Sequence, residues 1–388
     1  MRGNRTITLF FEYFTSEHFG KDPFLVPYYL GKKLGYSVTI LYPLFDTNIT
    51  IPSEVKGVKM VGLPLCGNEN TNFRFRYRNF YKYLWENASS IDIMIRFFDG
   101  TISREWSILY KMRNPNGKFY IKMDIDPMTI DKDKTNHRIF RGVMYIKNRL
   151  LDWLSKKCVD VISCETSLAY NKLISSKSYW HHWGNKLVMM PNGFDEEFLQ
   201  ELGIAEKSFD EKDNMMITVG RLGTPPKNTP MLLDALSKVD LKNWRFLFVG
   251  PIEDSLRPQI ESFYKQCPEK QGNVLFLGSI TDKKQLWNIY NNSKVFVLTS
   301  LHESFGLVLV EALRFKNYLV TTPVGASFDV VGGGKFGVIV ENNNIKDLVD
   351  KLQNIIDNGY TERYLSEFDP KILSWSKCLD RIIQKLES

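Results

Sequence analysis

Short apolar runs punctuate the chain at Ile7–Tyr13, Ser37–Tyr42, Asp92–Phe98, Lys118–Met123, Val159–Ser163 and Lys186–Met190. They are rich in Val, Ile, Phe and Tyr and lack clean alternation, the pattern of strands buried on both faces of a parallel sheet. Helix-length segments separate most of them. After Pro191-Asn192-Gly193 a charged stretch runs to Lys212, and the pattern then begins again with Met215–Val219, Trp244–Val249, Asn273–Leu277, Lys294–Thr299 and Tyr318–Thr322. This alternation predicts an α/β protein of two Rossmann-like, doubly wound domains, 1–191 and 192–370, facing a central cleft. A final helix over Lys371–Leu386 puts Ile372, Trp375, Leu379, Ile382 and Ile383 on one face and is expected to pack back on the first domain.

With 43% hydrophobic and 24% charged residues in 388, the chain carries too much core material for a disordered or fibrous protein. No run reaches the roughly eighteen apolar residues of a membrane span. The run from Ile7 is cut at Glu12, too short for a signal peptide, so the expected compartment is the cytoplasm. Cys66, Cys158, Cys164, Cys267 and Cys378 form no C-x-x-C pair, which suggests neither a disulfide framework nor a zinc knuckle. The net charge of +7 favours anionic partners without choosing among nucleic acid, membrane surface and phosphorylated substrate.

The second half carries the candidate chemistry. Val219-Gly220-Arg221-Leu222 ends a strand, and Lys227 follows on the same loop. Two cations at a strand exit suit a pyrophosphate whose charge grows as it leaves, Arg as a bidentate fork and Lys as a mobile point charge. Ser300-Leu-His-Glu303-Ser304-Phe305-Gly306 ends another strand and runs into the helical sequence Leu307–Arg314. A helix starting at Gly306 aims free N–H groups at an anion. Glu311 lies one turn beyond Leu307, where it could accept from vicinal ribose hydroxyls, and Glu303 could reach the hydroxyls of a sugar. Taken singly, each feature also reads as an ordinary helix terminus or a solvated charge.

Together, Val219-Gly-Arg221 with Lys227, Glu303-Ser-Phe-Gly306 with Glu311, Thr321-Thr-Pro-Val-Gly325 and Gly337-Val-Ile-Val340-Glu occur in the order seen in retaining glycosyltransferases of family four (glycosyl transferases group one), which have the GT-B fold. The chain resembles that family from about Met189 to Leu352, helped by Met190-Pro-Asn192-Gly193-Phe-Asp195, and only weakly before it. The resemblance implies that Arg221 and Lys227 bind the donor diphosphate and Glu303 holds sugar hydroxyls. It further implies that the Ser304, Phe305, Gly306 and Leu307 stretch lines the donor and Glu311 holds the ribose. It implies a UDP- or GDP-linked donor, no cofactor and no metal.

Many family members have a histidine after the fifth strand of the first domain, whereas Phe119-Tyr-Ile-Lys122-Met-Asp124-Ile-Asp126-Pro stands here. Asp124 is the residue expected nearest that catalytic position, and the nearest histidine in sequence is His137. Asp124-Ile-Asp126 also spells D-x-D, a metal-binding triplet in the other major glycosyltransferase fold, but a turn ending at Pro127 is the structural reading. In the loop Thr15–Asp22, Gly20 and Lys21 are the expected contacts to donor phosphates and acceptor, with His18 a loop histidine or a catalytic group. Two basic, aromatic segments, Phe73–Trp85 and His137–Lys157, suit an anionic membrane surface or a lipid-linked acceptor better than nucleic acid, and read almost as well as core helices dressed with cations.

The expected function is transfer of a sugar from a nucleotide sugar to a glycan or glycolipid acceptor during cell-surface polysaccharide synthesis, by a cytoplasmic enzyme placed peripherally at the membrane. A sugar-nucleotide epimerase, a phosphorylase and a non-catalytic sugar-nucleotide-binding or membrane-scaffold protein remain as alternatives.

Overall fold

A computed structural model describes residues 5–45, 51–130, 143–175, 183–360 and 362–388. It divides into two units, Met1–Pro191 with Trp375–Ser388, and Asn192–Ser374. Among the described residues of the first unit the strands are β1 (Thr6–Phe10), β2 (Ser37–Leu44), β3 (Glu54–Val55), β4 (Val58–Pro64), β5 (Ile93–Phe97), β6 (Lys118–Lys122), β7 (Val161–Cys164) and β8 (Leu187–Met189). They form one sheet in the order β3-β4-β2-β1-β5-β6-β7-β8, parallel throughout except for β3 against β4. The second unit has β9 (Asp213–Val219), β10 (Arg245–Val249), β11 (Val274–Gly278), β12 (Ser293–Leu298), β13 (Tyr318–Thr321) and β14 (Gly337–Ile339), all parallel, in the order β11-β10-β9-β12-β13-β14.

Burial follows the pattern that predicted these strands. All five residues of β5 are buried, as are Met215, Met216, Ile217 and Thr218 of β9, because helices cover both faces of each sheet. The sequence pattern missed three strands. β3 and β4 are joined by Lys56 and Gly57 with φ of 49° and 78°, the paired left-handed residues of a tight hairpin. The third, β14, is three residues long and starts on Gly337, whose missing Cβ lets it lie against the Leu319 carbonyl.

The segment after Pro191 folds onto the second unit rather than running as an open linker. Asp195 caps the helix Glu196–Leu202, accepting from Phe198 N at 3.1 Å, and Gly203 ends that helix at φ 61°. Glu196 and Glu206 both grip the buried Arg314 guanidinium. At the other end the single helix expected over Lys371–Leu386 is broken into Pro370–Leu373, Trp375–Cys378 and Asp380–Glu387. Ser374 between them is extended and bridges to Phe194. Trp375, Leu379, Ile382 and Leu386 join the first unit's core, with Lys33 holding Asp380 and the Ser376 carbonyl. Ile372, on the far side of the break, is exposed, which corrects its place in the expected stripe.

Among the described residues no helix is long and apolar enough to cross a membrane.

Candidate functional site

In the second sheet the strand order reverses at β9, between β10 and β12, and the loops leaving β9 and β12 therefore emerge side by side. They are stitched together: Leu301 N donates to the Pro226 carbonyl at 2.7 Å, and Thr299 Oγ1 to the Lys227 and Asn228 carbonyls at 3.2 Å. The loop after β13 joins them where Thr322 Oγ1 reaches Ser300 O at 2.5 Å and Ala326 N reaches Phe305 O at 2.8 Å.

This stitching brings two of the sequence-selected residues into direct contact. Lys227 Nζ lies 2.5 Å from Glu303 Oε1, and Ser300 Oγ donates to the same oxygen at 2.8 Å. Both members of the pair are half-buried. The lysine stem lies over Gly220, where a Cβ would stand 3.3 Å from Lys227 Cε. Asn228 sits at φ 47° and ψ 42°, the left-handed conformation that Asn tolerates best after Gly. Arg221 is exposed on the same loop, its backbone held by the flanking Leu222 N to Pro251 O bond of 2.8 Å.

Two glycines let backbones meet under this site. A Cβ on Gly250, at φ 137°, would be 1.8 Å from Gly220 O, and one on Gly325, at φ 50°, would be 2.4 Å from Phe305 O. Gly306 is left-handed at φ 86° and opens the helix Leu307–Arg314, whose Leu309, Val310, Ala312 and Leu313 are buried. Phe305 is also buried, while Ser304, Gly306 and Leu307 on either side of it are partly accessible.

Glu311 has neighbours that the motif spacing did not reveal. Its carboxylate accepts from Lys283 Nζ at 2.5 Å, Trp287 Nε1 at 3.2 Å and Tyr290 OH at 3.4 Å. These three lie at i, i+4 and i+7 on the helix Lys283–Asn292, so one face of that helix is aimed at Glu311. Burial, with Glu311 beside it, raises the Tyr290 phenol well above its ordinary value. The periodicity of Lys283, Trp287 and Tyr290 was the available signal, but it reads equally as core packing.

In the first unit, Gly20 and Lys21 are exposed at the end of the loop after β1. Lys21 is the N-cap residue of the helix Asp22–Leu34 and lies 4.0 Å from Glu17. His18 closes a short turn, its Nδ1 accepting from Thr15 N at 3.0 Å with its ring against Phe11 and Phe14. Burial lowers its pKa. This is the loop-histidine arrangement. Asp124 is exposed just past β6, while Asp126 caps a turn by accepting from Met128 N at 2.8 Å. His137, Arg138 and Arg141 lie outside the described residues.

Beneath that loop lie two buried ion clusters that reading the sequence missed. Lys122, fully buried at the end of β6, binds Asp22 at 2.7 Å and also Glu165, just after β7. Desolvation raises Glu165 to about 7 against the pull of Lys122, with Asp124 and Asp22 adding to the rise. Arg96 of β5 grips Glu12 through two 2.7 Å bonds, donates to Phe10 O and stacks over Trp106 at 4.2 Å. The two clusters fix both ends of the Phe11–Lys21 loop. A charge inside an apolar strand run, as at Lys122 and Arg96, was the signal for both.

Within the second unit the chain matches a family of known proteins. Residues 200–371 match the family described as glycosyl transferases group 1, as the motifs suggested. A capsular polysaccharide biosynthesis glycosyltransferase of Staphylococcus aureus is 26% identical over 56% of this chain and 58% of its own. A D-inositol 3-phosphate glycosyltransferase of Mycolicibacterium smegmatis is 31% identical over 42% of this chain and 38% of its own. The chain spans about half the length of the curated relatives it matches. Among solved structures, sucrose-phosphate synthase from Thermosynechococcus elongatus superposes with a TM-score of 0.67 at 16% identity, covering 98% of both chains. Anabaena HepE in complex with UDP and glucose gives 0.62 at 15% identity over 99% of this chain and all of its own. The fold is GT-B.

Proposed function

We propose that the protein is a retaining glycosyltransferase that moves a sugar from a UDP- or GDP-linked donor to a glycan or lipid-linked acceptor at an anionic membrane surface. The observation that carries this reading is the contact of Lys227 with Glu303 at the switch point of the second sheet. A cation for phosphate and a carboxylate for sugar hydroxyls stand within hydrogen-bond distance of each other, as a sugar joined directly to a diphosphate requires. Relatives that serve in polysaccharide biosynthesis and a structure of like fold in complex with UDP and glucose support the same chemistry.

Arg221, Lys227 and the N–H groups opening the Leu307–Arg314 helix stabilise the departing nucleoside diphosphate, lowering the barrier where charge develops. Glu303 orients the sugar, and Glu311 holds the ribose in place of one of its present donors. The acceptor hydroxyl attacks on the side the leaving group vacates, and the leaving phosphate takes its proton. That route needs no histidine near Asp124.

The test is release of nucleoside diphosphate from a panel of nucleotide sugars, with a glycan acceptor and without one. Turnover that needs inorganic phosphate instead, an epimerised donor, or donor binding without either transfer or slow hydrolysis would reject the reading. Because cationic side chains and backbone N–H groups serve as the phosphate ligands, the released amount should be unchanged by excess EDTA. Complete loss restored by manganese or magnesium would move the diphosphate to an acidic site such as Asp124 and Asp126.

The Glu311 assignment has its own measurement. Glu311→Gln should weaken binding of the nucleotide. A 2′-deoxyribose donor should bind the wild type less well than its ribose counterpart, with a smaller difference in the variant, since the two changes share one hydrogen bond. Equal affinity of ribose and deoxyribose donors for the wild type would leave Glu311 as a purely structural partner of Lys283, Trp287 and Tyr290.

A further inference from the structure

Among its described side chains, the helix Val143–Cys158 is amphipathic in the inverse of the usual sense. A surface helix of a globular protein buries its apolar stripe and shows its charges to water. Here the inward face carries Asp152 and Ser155, both fully buried, with Asp152 bound to Arg104 at 2.6 Å and to Lys156 at 3.1 Å. The outward face carries Ile146, Leu150 and Trp153, which are 68%, 54% and 47% exposed. These lie at i, i+4 and i+7, and Lys157 continues the same line. Its ammonium sits 3.6 Å over the Trp153 ring, while Arg149 is exposed one residue before Leu150.

We infer that this outward face, Ile146, Leu150 and Trp153 with Arg149 and Lys157, seats the protein on an anionic lipid surface. Exposed apolar side chains in a row mark a surface that something covers. The charge decides what. The sole acid of the helix, Asp152, is buried and paired, so the helix brings no carboxylate to its outer face, where the Lys157 ammonium is complementary to anionic headgroups. A tryptophan ring under a lysine ammonium suits the boundary between acyl chains and headgroups, where each finds its own medium. A second copy is the poorer occupant, because a two-fold contact sets the same face against itself and opposes Arg149 and Lys157 to their own copies.

The other basic segment, Phe73–Trp85, has no such row on one helix: its exposed rings, Phe75 and Trp85, stand on two different helices, Phe73–Arg76 and Arg78–Asn87. Arg74 is held by Glu105, Lys82 lies 3.9 Å from Glu86, Arg78 sits over the Phe75 ring, and Tyr77, Phe80 and Leu84 point into the core. The inference therefore moves the membrane contact to one helix. It rests on the reading above for the location of the acceptor, but its experiment needs neither acceptor nor turnover.

The full chain is sedimented with phosphatidylcholine vesicles and with vesicles containing one third phosphatidylglycerol. Wild type should follow the anionic vesicles, and less so as salt is raised. Ile146→Ser, Leu150→Ser and Trp153→Ser combined should lower partitioning by at least roughly tenfold. Arg149→Gln and Lys157→Gln should each lower it roughly fivefold. All of these positions are exposed, so melting and the thermal shift given by UDP or GDP should stay at wild-type values. No preference for anionic vesicles, wild-type partitioning of the triple variant, or a wild-type dimer that the triple variant dissolves would each overturn the inference. Loss of donor turnover with vesicle binding intact would instead reject the glycosyltransferase reading and leave this surface standing.

Discussion

Lys122→Met should destabilise the first unit by about 3–5 kcal/mol, the cost of removing one partner from a buried ion pair. The lysine is wholly inside the protein, bound to Asp22 at the head of the Asp22–Leu34 helix and to Glu165 after β7. Its loss leaves two carboxylates without their common counter-charge. The effect should depend on pH in a defined direction. Glu165 is held at about 7 by burial even with Lys122 pulling it down, so without that pull it rises further. A carboxyl whose folded pKa exceeds its unfolded value of about 4.3 contributes stability below that value and loses it as pH rises through the folded pKa. The gap between variant and wild type in denaturant midpoint should therefore be wider near pH 8 than near pH 5, where the loss of the Asp22 partner remains. A midpoint equal to wild type at pH 8 would show that Lys122 is not the charge on which this cluster depends. Asp22 follows Gly20 and Lys21 directly, so the same variant should also loosen the proposed contact loop.

The strands with a continuous apolar run were legible because a sheet covered on both faces demands that composition. β3, β4 and β14 were not, since a Lys-Gly hairpin carries no Asn-Gly signature and a strand of three residues beginning with glycine has almost no side-chain pattern. The break at Ser374 was hidden for another reason: its cause is a bridge to Phe194, far away in sequence. The site divides along the same line. Arg221, Lys227, Glu303 and Glu311 could be selected because each sits in a local motif at a strand exit or helix start. The Lys283, Trp287 and Tyr290 cradle of Glu311, and the ion clusters of Lys122 and Arg96, are made across distant segments. Local spacing states which residues can share a face, whereas the choice of partner is made by the order of strands in the sheet.

Lys227→Met should cost about 1.5–3 kcal/mol in nucleoside diphosphate binding, roughly tenfold to a hundredfold, and Glu303→Gln should not. The asymmetry follows from their contact. In the free protein Lys227 is bound to Glu303 at 2.5 Å, so a phosphate oxygen that takes up the ammonium must compete with a carboxylate. Neutralising Glu303 releases the lysine and removes a like charge from beside the diphosphate, so nucleoside diphosphate should bind at least as tightly as before. Transfer should still fall, because the ligand of the sugar hydroxyls is gone. In the Lys227→Met protein the remaining carboxylate, half-buried and facing Ser300, repels the incoming phosphates without compensation. Adding Glu303→Gln there should recover part of the lost affinity, which makes the two substitutions non-additive by about 0.5–3 kcal/mol. Isothermal titration of UDP or GDP into the four proteins measures the cycle. Additivity within about 0.5 kcal/mol would mean that the two side chains act independently on the ligand. A Glu303→Gln protein that loses nucleoside diphosphate affinity as steeply as Lys227→Met would put the carboxylate on the nucleotide rather than on the sugar.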